Sequence, residues 1–186
     1  MMRLAAGLAA LLLSACATHA SLPDLAQSPP GKAPAFDAAI ATFEEADRTT
    51  MPPRCATLFV GASSIRFWRS LKEDFPDRTV INRGFGGAFL REVVHFSDRI
   101  VLPYKPKQIY LNAGGNDLHN GKTPEEVLAS FKAFAALVAE KLPKTKLGFL
   151  CIPTSPSRWE EVETVKKTNK LIADFIHAGG DKIEFI

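Results

Sequence analysis

Short apolar runs alternate with longer amphipathic stretches through most of this 186-residue chain. The runs read as strands at 56–61, 79–82, 107–112 and 146–152, with a last strand beginning near Lys182. Between them a 3.6-residue period predicts helices at about 66–74, 89–97, 124–142 and 159–178. A further helix, Phe36 to Arg48, precedes the first strand. Phe36, Ile40 and Phe43 share one side of it, Asp37 sits in its first turn, and Met51-Pro52-Pro53 stops it. The stretch 124–142 carries the clearest pattern. Pro124 opens it after Thr123, Glu125 and Glu126 fill its first turn, and Phe131, Phe134, Leu137 and Val138 make one apolar face that serves core packing. Strand and helix alternate at the spacing of successive βαβ units, which predicts an α/β fold: a parallel sheet with helices on both faces.

The first 35 residues stand apart from this alternation. Arg3 precedes an apolar run from Leu4 to Leu13, too short to span a bilayer permanently and typical of a secretory signal. Leu13-Ser14-Ala15-Cys16 resembles the bacterial lipobox. That resemblance implies cleavage before Cys16 and lipidation of its thiol, and Ala17 rather than Asp after it implies an outer-membrane lipoprotein facing the periplasm. Residues 1–15 are thus a signal peptide, 16–35 a tether rich in Ala, Ser and Pro, and 36–186 one domain. The net charge of +3 falls to +2 without residues 1–15, whose only charge is Arg3. No basic run is present, so composition gives no reason to expect nucleic acid. Cys55 falls before the first strand and Cys151 late in a strand of the same sheet, at opposite heights. Two unpaired, buried or half-buried thiols are expected.

Chemistry concentrates in three loops, each following a strand. In Leu58-Phe59-Val60-Gly61-Ala62-Ser63-Ser64-Ile65-Arg66 a buried strand ends at glycine and a helix begins at once, leaving a serine hydroxyl at the turn. Such a turn lies at the carboxyl end of a parallel sheet, where open α/β folds keep their sites. Ser64 is the rival hydroxyl, and either serine could simply cap the helix. The second loop, Asn82-Arg83-Gly84-Phe85-Gly86-Gly87-Ala88, has glycines that let a main-chain N–H approach a ligand. The third, Asn112-Ala113-Gly114-Gly115-Asn116-Asp117, brings the side-chain amide of Asn116. Ser63 N–H, Gly87 N–H and Asn116 would form a three-donor oxyanion hole, one donor of which is worth about 3–4 kcal/mol in a transition state.

From about residue 56 onward the chain resembles the SGNH, or GDSL-type, hydrolase superfamily, and its platelet-activating-factor acetylhydrolase-like members in particular. Gly61-Ala62-Ser63 matches block I, Gly87 the block II glycine, and Gly114-Gly115-Asn116-Asp117 the G-x-N-D of block III. The resemblance implies a three-layer α/β/α sandwich on a flavodoxin-like sheet. It also implies a serine esterase or acylhydrolase with Ser63 as nucleophile, Gly87 and Asn116 as oxyanion donors, and a small ester, of a lipid or an acylated sugar, as substrate. Ala62 stands where the family usually has Asp. Asp117 orders its loop through backbone hydrogen bonds.

The family's catalytic Asp and His lie in a D-x-x-H block beyond the fifth strand, and the sequence stops at Glu184-Phe185-Ile186, within that strand. The resemblance therefore places both partners, and the last elements of the fold, past Ile186 and implies impaired turnover without them. Asp174-Phe175-Ile176-His177 repeats the spacing inside a helix whose Leu171, Phe175 and Ala178 should face the core; Asp174 and His177 then sit on a solvated face. His19 falls in the tether, His95 in the helix after the second loop, and His119 at the rim of the third. Phe67, Trp68 and Phe85 are either an apolar wall of the site or core. A non-catalytic envelope binding protein using the same cleft is the alternative from another class. Nucleotide binding by Gly84–Gly87 fits less well, because the first strand is followed by neither a P-loop lysine nor G-x-G-x-x-G. No cofactor is called for, and no metal-ligand spacing is present.

If Cys16 carries the anchor, wild-type protein fractionates with membranes and Cys16→Ala is released, because a diacylglycerol plus an N-acyl chain provides more than one membrane signal. Equal release of both on cell fractionation would exclude the lipobox reading.

Overall fold

The computed structural model describes residues 33–179 and 182–186. The signal peptide, Cys16, His19 and most of the tether lie outside the described residues. Helix α1 (Ala33–Thr49) starts three residues earlier than the predicted boundary at Phe36. It is followed by β1 (Thr57–Gly61), the one-turn helices α2 (Ser63–Arg66) and α3 (Leu71–Asp74), β2 (Val80–Gly84), α4 (Leu90–His95) and α5 (Ser97–Ile100). Then come β3 (Gln108–Asn112), α6 (Gly115–His119), α7 (Pro124–Lys141), β4 (Lys146–Phe149), α8 (Val162–Ala178) and β5 (Ile183–Phe185). The five strands are all parallel in the order β2-β1-β3-β4-β5.

Side chains that alternate along the strands divide between two unequal layers. Leu58, Val60, Ile81, Ile109, Leu111, Leu147 and Phe149 point to one face, where Ile40 of α1, Val93 of α4, Phe131 and Phe134 of α7 and Ile172 of α8 bury them. On the other face Phe59 packs with Ile65 and Leu71 of α2 and α3, beside Trp68, Phe75 and Tyr110. The α/β/α expectation holds, with the smaller layer over β1 and β2. None of the described helices is long and apolar enough to cross a membrane.

Several boundaries moved for identifiable reasons. The helix expected at 66–74 is two turns broken at Phe67–Ser70. Asp74 accepts from Trp68 Nε1 at 2.5 Å and from Ser70 Oγ at 2.8 Å, so side-chain bonds hold the break. The helix expected at 89–97 splits at Phe96. β4 ends at Phe149 instead of 152, and beyond it Asn112 Nδ2 donates to the carbonyls of Leu150 and Cys151, both at 3.0 Å. A 3₁₀ turn over Pro156–Glu161 replaces the first residues predicted for α8. The core face of α8 is Val165, Thr168, Ile172 and Ile176, while Leu171 and Phe175 are half-buried and Ala178 is exposed. Cys55 and Cys151 are free as expected, but both are exposed, not buried.

A buried ionic clamp joins α1 to the sheet. Arg83, 8% exposed, donates to Asp47 and, at 2.7 Å, to Tyr104 Oη, while Tyr104 donates to the other Asp47 oxygen. The guanidinium also lies over the rings of Phe43 and Tyr104, 4.9 and 4.8 Å from their centroids. Burial, with Asp47 adding to it, pushes the Tyr104 hydroxyl up to about 12, so it stays a donor. Arg99 on α5 adds bonds to Glu44 and Asp37. Removing one partner of a buried pair costs more than replacing both. Asp47→Ala should therefore destabilise the fold by about 3 kcal/mol, and Asp47→Leu with Arg83→Met should recover most of that in urea unfolding.

Candidate active site

The serine turn is built by close backbone approach. Gly61 has φ +143°, and a Cβ there would lie 1.9 Å from the Asn112 carbonyl oxygen. That oxygen instead accepts the Ala62 N–H at 3.0 Å, and Gly61 O accepts the Phe85 N–H at 2.9 Å. The strand end is thereby pinned to both neighbours, and Ser63 becomes the first residue of α2. Its N–H has no hydrogen-bond partner among the described residues, as is usual for the first amides of a helix. Ser63 is half-buried and Ser64 exposed.

A cleft of about 280 Å³ opens at the carboxyl ends of the strands. Ser63, Ser64, Asn112, Gly115 and Asn116 line one side, and the loop after β4, with Ile152, Ser155, Arg158 and Glu161, lines the other. The structure thus brings Ser63 and Asn116 to one cleft. Gly87 does not line it. It lies in the adjoining loop, exposed, at φ +79°, a conformation that favours glycine. One amide hydrogen of Asn116 ties the two loops together, donating to Ala88 O at 3.0 Å. The other makes no hydrogen bond among the described residues.

Asp117 completes that tie. It is 4% exposed, and its two oxygens accept the Leu90 N–H at 3.2 and 3.1 Å, at the start of α4. Glu92 takes the neighbouring Phe89 N–H at 2.8 Å. The loop-ordering role expected of Asp117 is the one observed. Burial raises its carboxyl to about 6, against the pull of the Leu90 N–H, and nearby Glu92 adds to the rise.

Three asparagines that the sequence reading did not single out hold the rim. Asn82 Nδ2 donates to Ile65 O at 2.7 Å and its Oδ1 accepts from Gly84 N at 2.9 Å. Asn112 grips the strand end after β4, and Asn169 on α8 exchanges two 2.9 Å bonds with the backbone of Ile152. Their signal was a polar amide at the end of an apolar strand run, or on the apolar side of a helix. Of the histidines, His119 is at the rim, exposed, with Nδ1 at 2.5 Å from Glu161. His95 is exposed beside the Phe96 ring, and His177 is exposed on α8, where Asp174 pairs with Lys170 at 2.8 Å. Phe85 is core and Trp68 belongs to the smaller layer. Phe67 is 62% exposed, and none of the three lines the cleft. Among the described residues, no imidazole or carboxylate hydrogen-bonds to Ser63, and no cluster could hold a metal.

A carboxyl raised by folding is more protonated in the native than in the unfolded state, so its effect on stability falls as pH rises through about 4 to 6. Relative to Asp117→Asn, which cannot ionise, wild type should gain stability when the pH is lowered from about 7 to 5 in urea melts. A gain in the opposite direction would mean that Asp117 is stabilised as the carboxylate.

The profile of the GDSL-like lipase/acylhydrolase family matches residues 56–186. No curated protein matches the chain. Among solved structures, a candidate platelet activating factor from Streptococcus pneumonia aligns over 80% of this chain and 73% of its own, at 20% identity and TM-score 0.68. A GDSL-like lipase from Bacteroides thetaiotaomicron aligns over 80% and 77%, at 20% identity and TM-score 0.65. A mutant acetyl-xylooligosaccharide esterase from Geobacillus stearmophilus aligns over 70% and 76%, at 14% identity and TM-score 0.53. These likenesses carry the fold, and the profile carries the assignment: the chain belongs to the GDSL-like lipase/acylhydrolase family.

Proposed function

We propose that this hydrolase is a serine esterase of small acyl groups that forms an acyl-enzyme on Ser63. The observation that carries the reading is the meeting of Ser63 and Asn116 in one cleft, beside the unpartnered N–H at the start of α2. Ser63 Oγ attacks the ester carbonyl, and the negative charge that develops on its oxygen is met by Ser63 N–H, Asn116 Nδ2 and Gly87 N–H. The C–O bond to the alcohol breaks, and water then releases the acid. The Ser63 proton needs a base within about 3 Å, the role that the family resemblance gives to its D-x-x-H block. A cleft of about 280 Å³ suits a short acyl group, and an esterase of acetylated oligosaccharides among the structural neighbours is in keeping with that. The alcohol part would be a lipid or a sugar. Lipidation of Cys16 would hold the enzyme at the outer membrane, facing the periplasm.

In a chain that carries the family's D-x-x-H block, Ser63→Ala should abolish both fluorophosphonate labelling and hydrolysis of a short-chain aryl ester, while Ser64→Ala keeps most of each. Asn116→Ala should lower kcat by about 10²–10³ with a smaller effect on KM, as a transition-state donor does. Because Asn116 also holds Ala88, its Tm is measured alongside; loss of kcat that tracks unfolding would remove Asn116 from the oxyanion hole. The reverse ranking of the two serines would overturn the nucleophile.

A further inference from the structure

Every strand of the sheet is entered beside a cation. Arg54 precedes β1, Arg78 precedes β2, Lys107 precedes β3, Lys146 opens β4 and Lys182 precedes β5. The parallel register aligns Thr57 with Val80 and Gln108, Gln108 with Lys146, and Leu147 with Ile183. Neighbouring strands lie about 4.8 Å apart, so these five residues form a row across the amino ends of the sheet. All are exposed, and none makes an ion pair among the described residues; the exposed Asp77 beside Arg78 is likewise unpaired. Elsewhere about half of the exposed cations are paired, as in Lys122–Glu126, Lys166–Glu163, Lys167–Glu125 and Lys170–Asp174, while others such as Arg66, Arg69 and Lys72 make no ion pair among the described residues.

The β5 end of this row runs into an apolar groove of about 480 Å³ between α7, α8 and β5. Ala135, Val138, Leu142, Phe175 and Ile183 form its apolar part, and Lys132, Lys144, Lys146 and Lys182 line it as well. Lys132 Nζ stands 4.9 Å from the centre of the Phe175 ring. Cations alone would suit any polyanion. A greasy slot that shares two lysines with the row suits a molecule that carries negative charge and a hydrocarbon chain together, and an extended polyanion would leave that slot empty.

We propose that this amino-end pole docks on a bilayer containing anionic phospholipid, with the α7–α8–β5 groove taking an acyl chain. The cleft lies at the opposite ends of the same strands, five residues or about 17 Å away, so docking turns it away from that bilayer.

The two exposed thiols provide reporters at the two poles, and the readout is independent of hydrolysis. An environment-sensitive dye is placed on Cys55 (with Cys151→Ser) or on Cys151 (with Cys55→Ser), in the full-length chain carrying Cys16→Ser. Vesicles with about 30% phosphatidylglycerol should shift the Cys55 dye and leave the Cys151 dye unchanged, and pure phosphatidylcholine should shift neither by a comparable amount. Each lysine near an anionic surface is worth about fivefold in partitioning, so Lys144→Glu, Lys146→Glu and Lys182→Glu together should weaken vesicle binding at least a hundredfold. Ala139→Gln, an exposed site in the groove, should weaken it severalfold with no change of charge. Both variants should keep the wild-type Tm and fluorophosphonate labelling, which separates lost docking from lost fold. Equal response of both dyes, indifference to lipid charge, or binding that survives the triple change would overturn the proposal. So would tight binding to heparin or duplex DNA with none to vesicles.

Discussion

The site depends on the absence of a side chain at Gly61. Any Cβ there would sit 1.9 Å from the Asn112 carbonyl oxygen, well inside van der Waals contact. With hydrogen in that place, β1 and β3 close at their carboxyl ends and Asn112 O takes the Ala62 N–H. Gly84 repeats the device on the other side, where a Cβ would lie 2.2 Å from the Arg66 nitrogen. The serine turn is thus clamped between its two neighbours, and its direction is set by these backbone contacts together with the Asn82 bond to Ile65 O. Ser63 needs no cap of its own, and none is made.

Most polar side chains around the cleft are engaged with other loops. Asn82 holds the serine turn, Asn112 and Asn169 hold the loop after β4, and Asn116 and Asp117 hold the glycine loop. A loop fixed in this way offers its N–H groups in one orientation before substrate arrives, which is what electrostatic stabilisation of a transient charge demands. The cost falls on Asp117, whose carboxylate is removed from water and answered by backbone N–H groups alone. Such a trade of stability for order is common at functional sites.

What the sequence made legible was local. Gly61 and Ser63 at the end of an apolar run, Pro124 after Thr123, and Gly87 in its loop each announced a backbone conformation that the fold adopts. What it hid depended on partners distant in the chain. The break at Phe67–Ser70 rests on Asp74 reaching back to Trp68 and Ser70. The face of α8 is set by where Ile172 and Ile176 meet the core, which periodicity alone placed one residue off. The clamp of Asp47, Arg83 and Tyr104 joins three segments, none of which looks unusual by itself. The row of cations was hidden most completely. Arg54, Arg78, Lys107, Lys146 and Lys182 make no basic run, and only a parallel sheet gathers them.

That same topology decides which charges can act on the reaction. In a parallel sheet all strand entries share one pole and all exits the other, so the two populations of residues are kept a strand length apart. Over about 17 Å, some two Debye lengths at physiological salt, the field of exposed cations is largely screened. The row at the amino ends is therefore too far away to stabilise an oxyanion at Ser63. Arg158, the one cation lining the cleft, is turned toward the Gly115 carbonyl, 3.4 Å away. In the proposed reaction, stabilisation of the charge is therefore assigned to neutral donors, the N–H groups of the serine and glycine turns and the amide of Asn116, whose worth depends on how firmly Gly61 and the asparagines hold them.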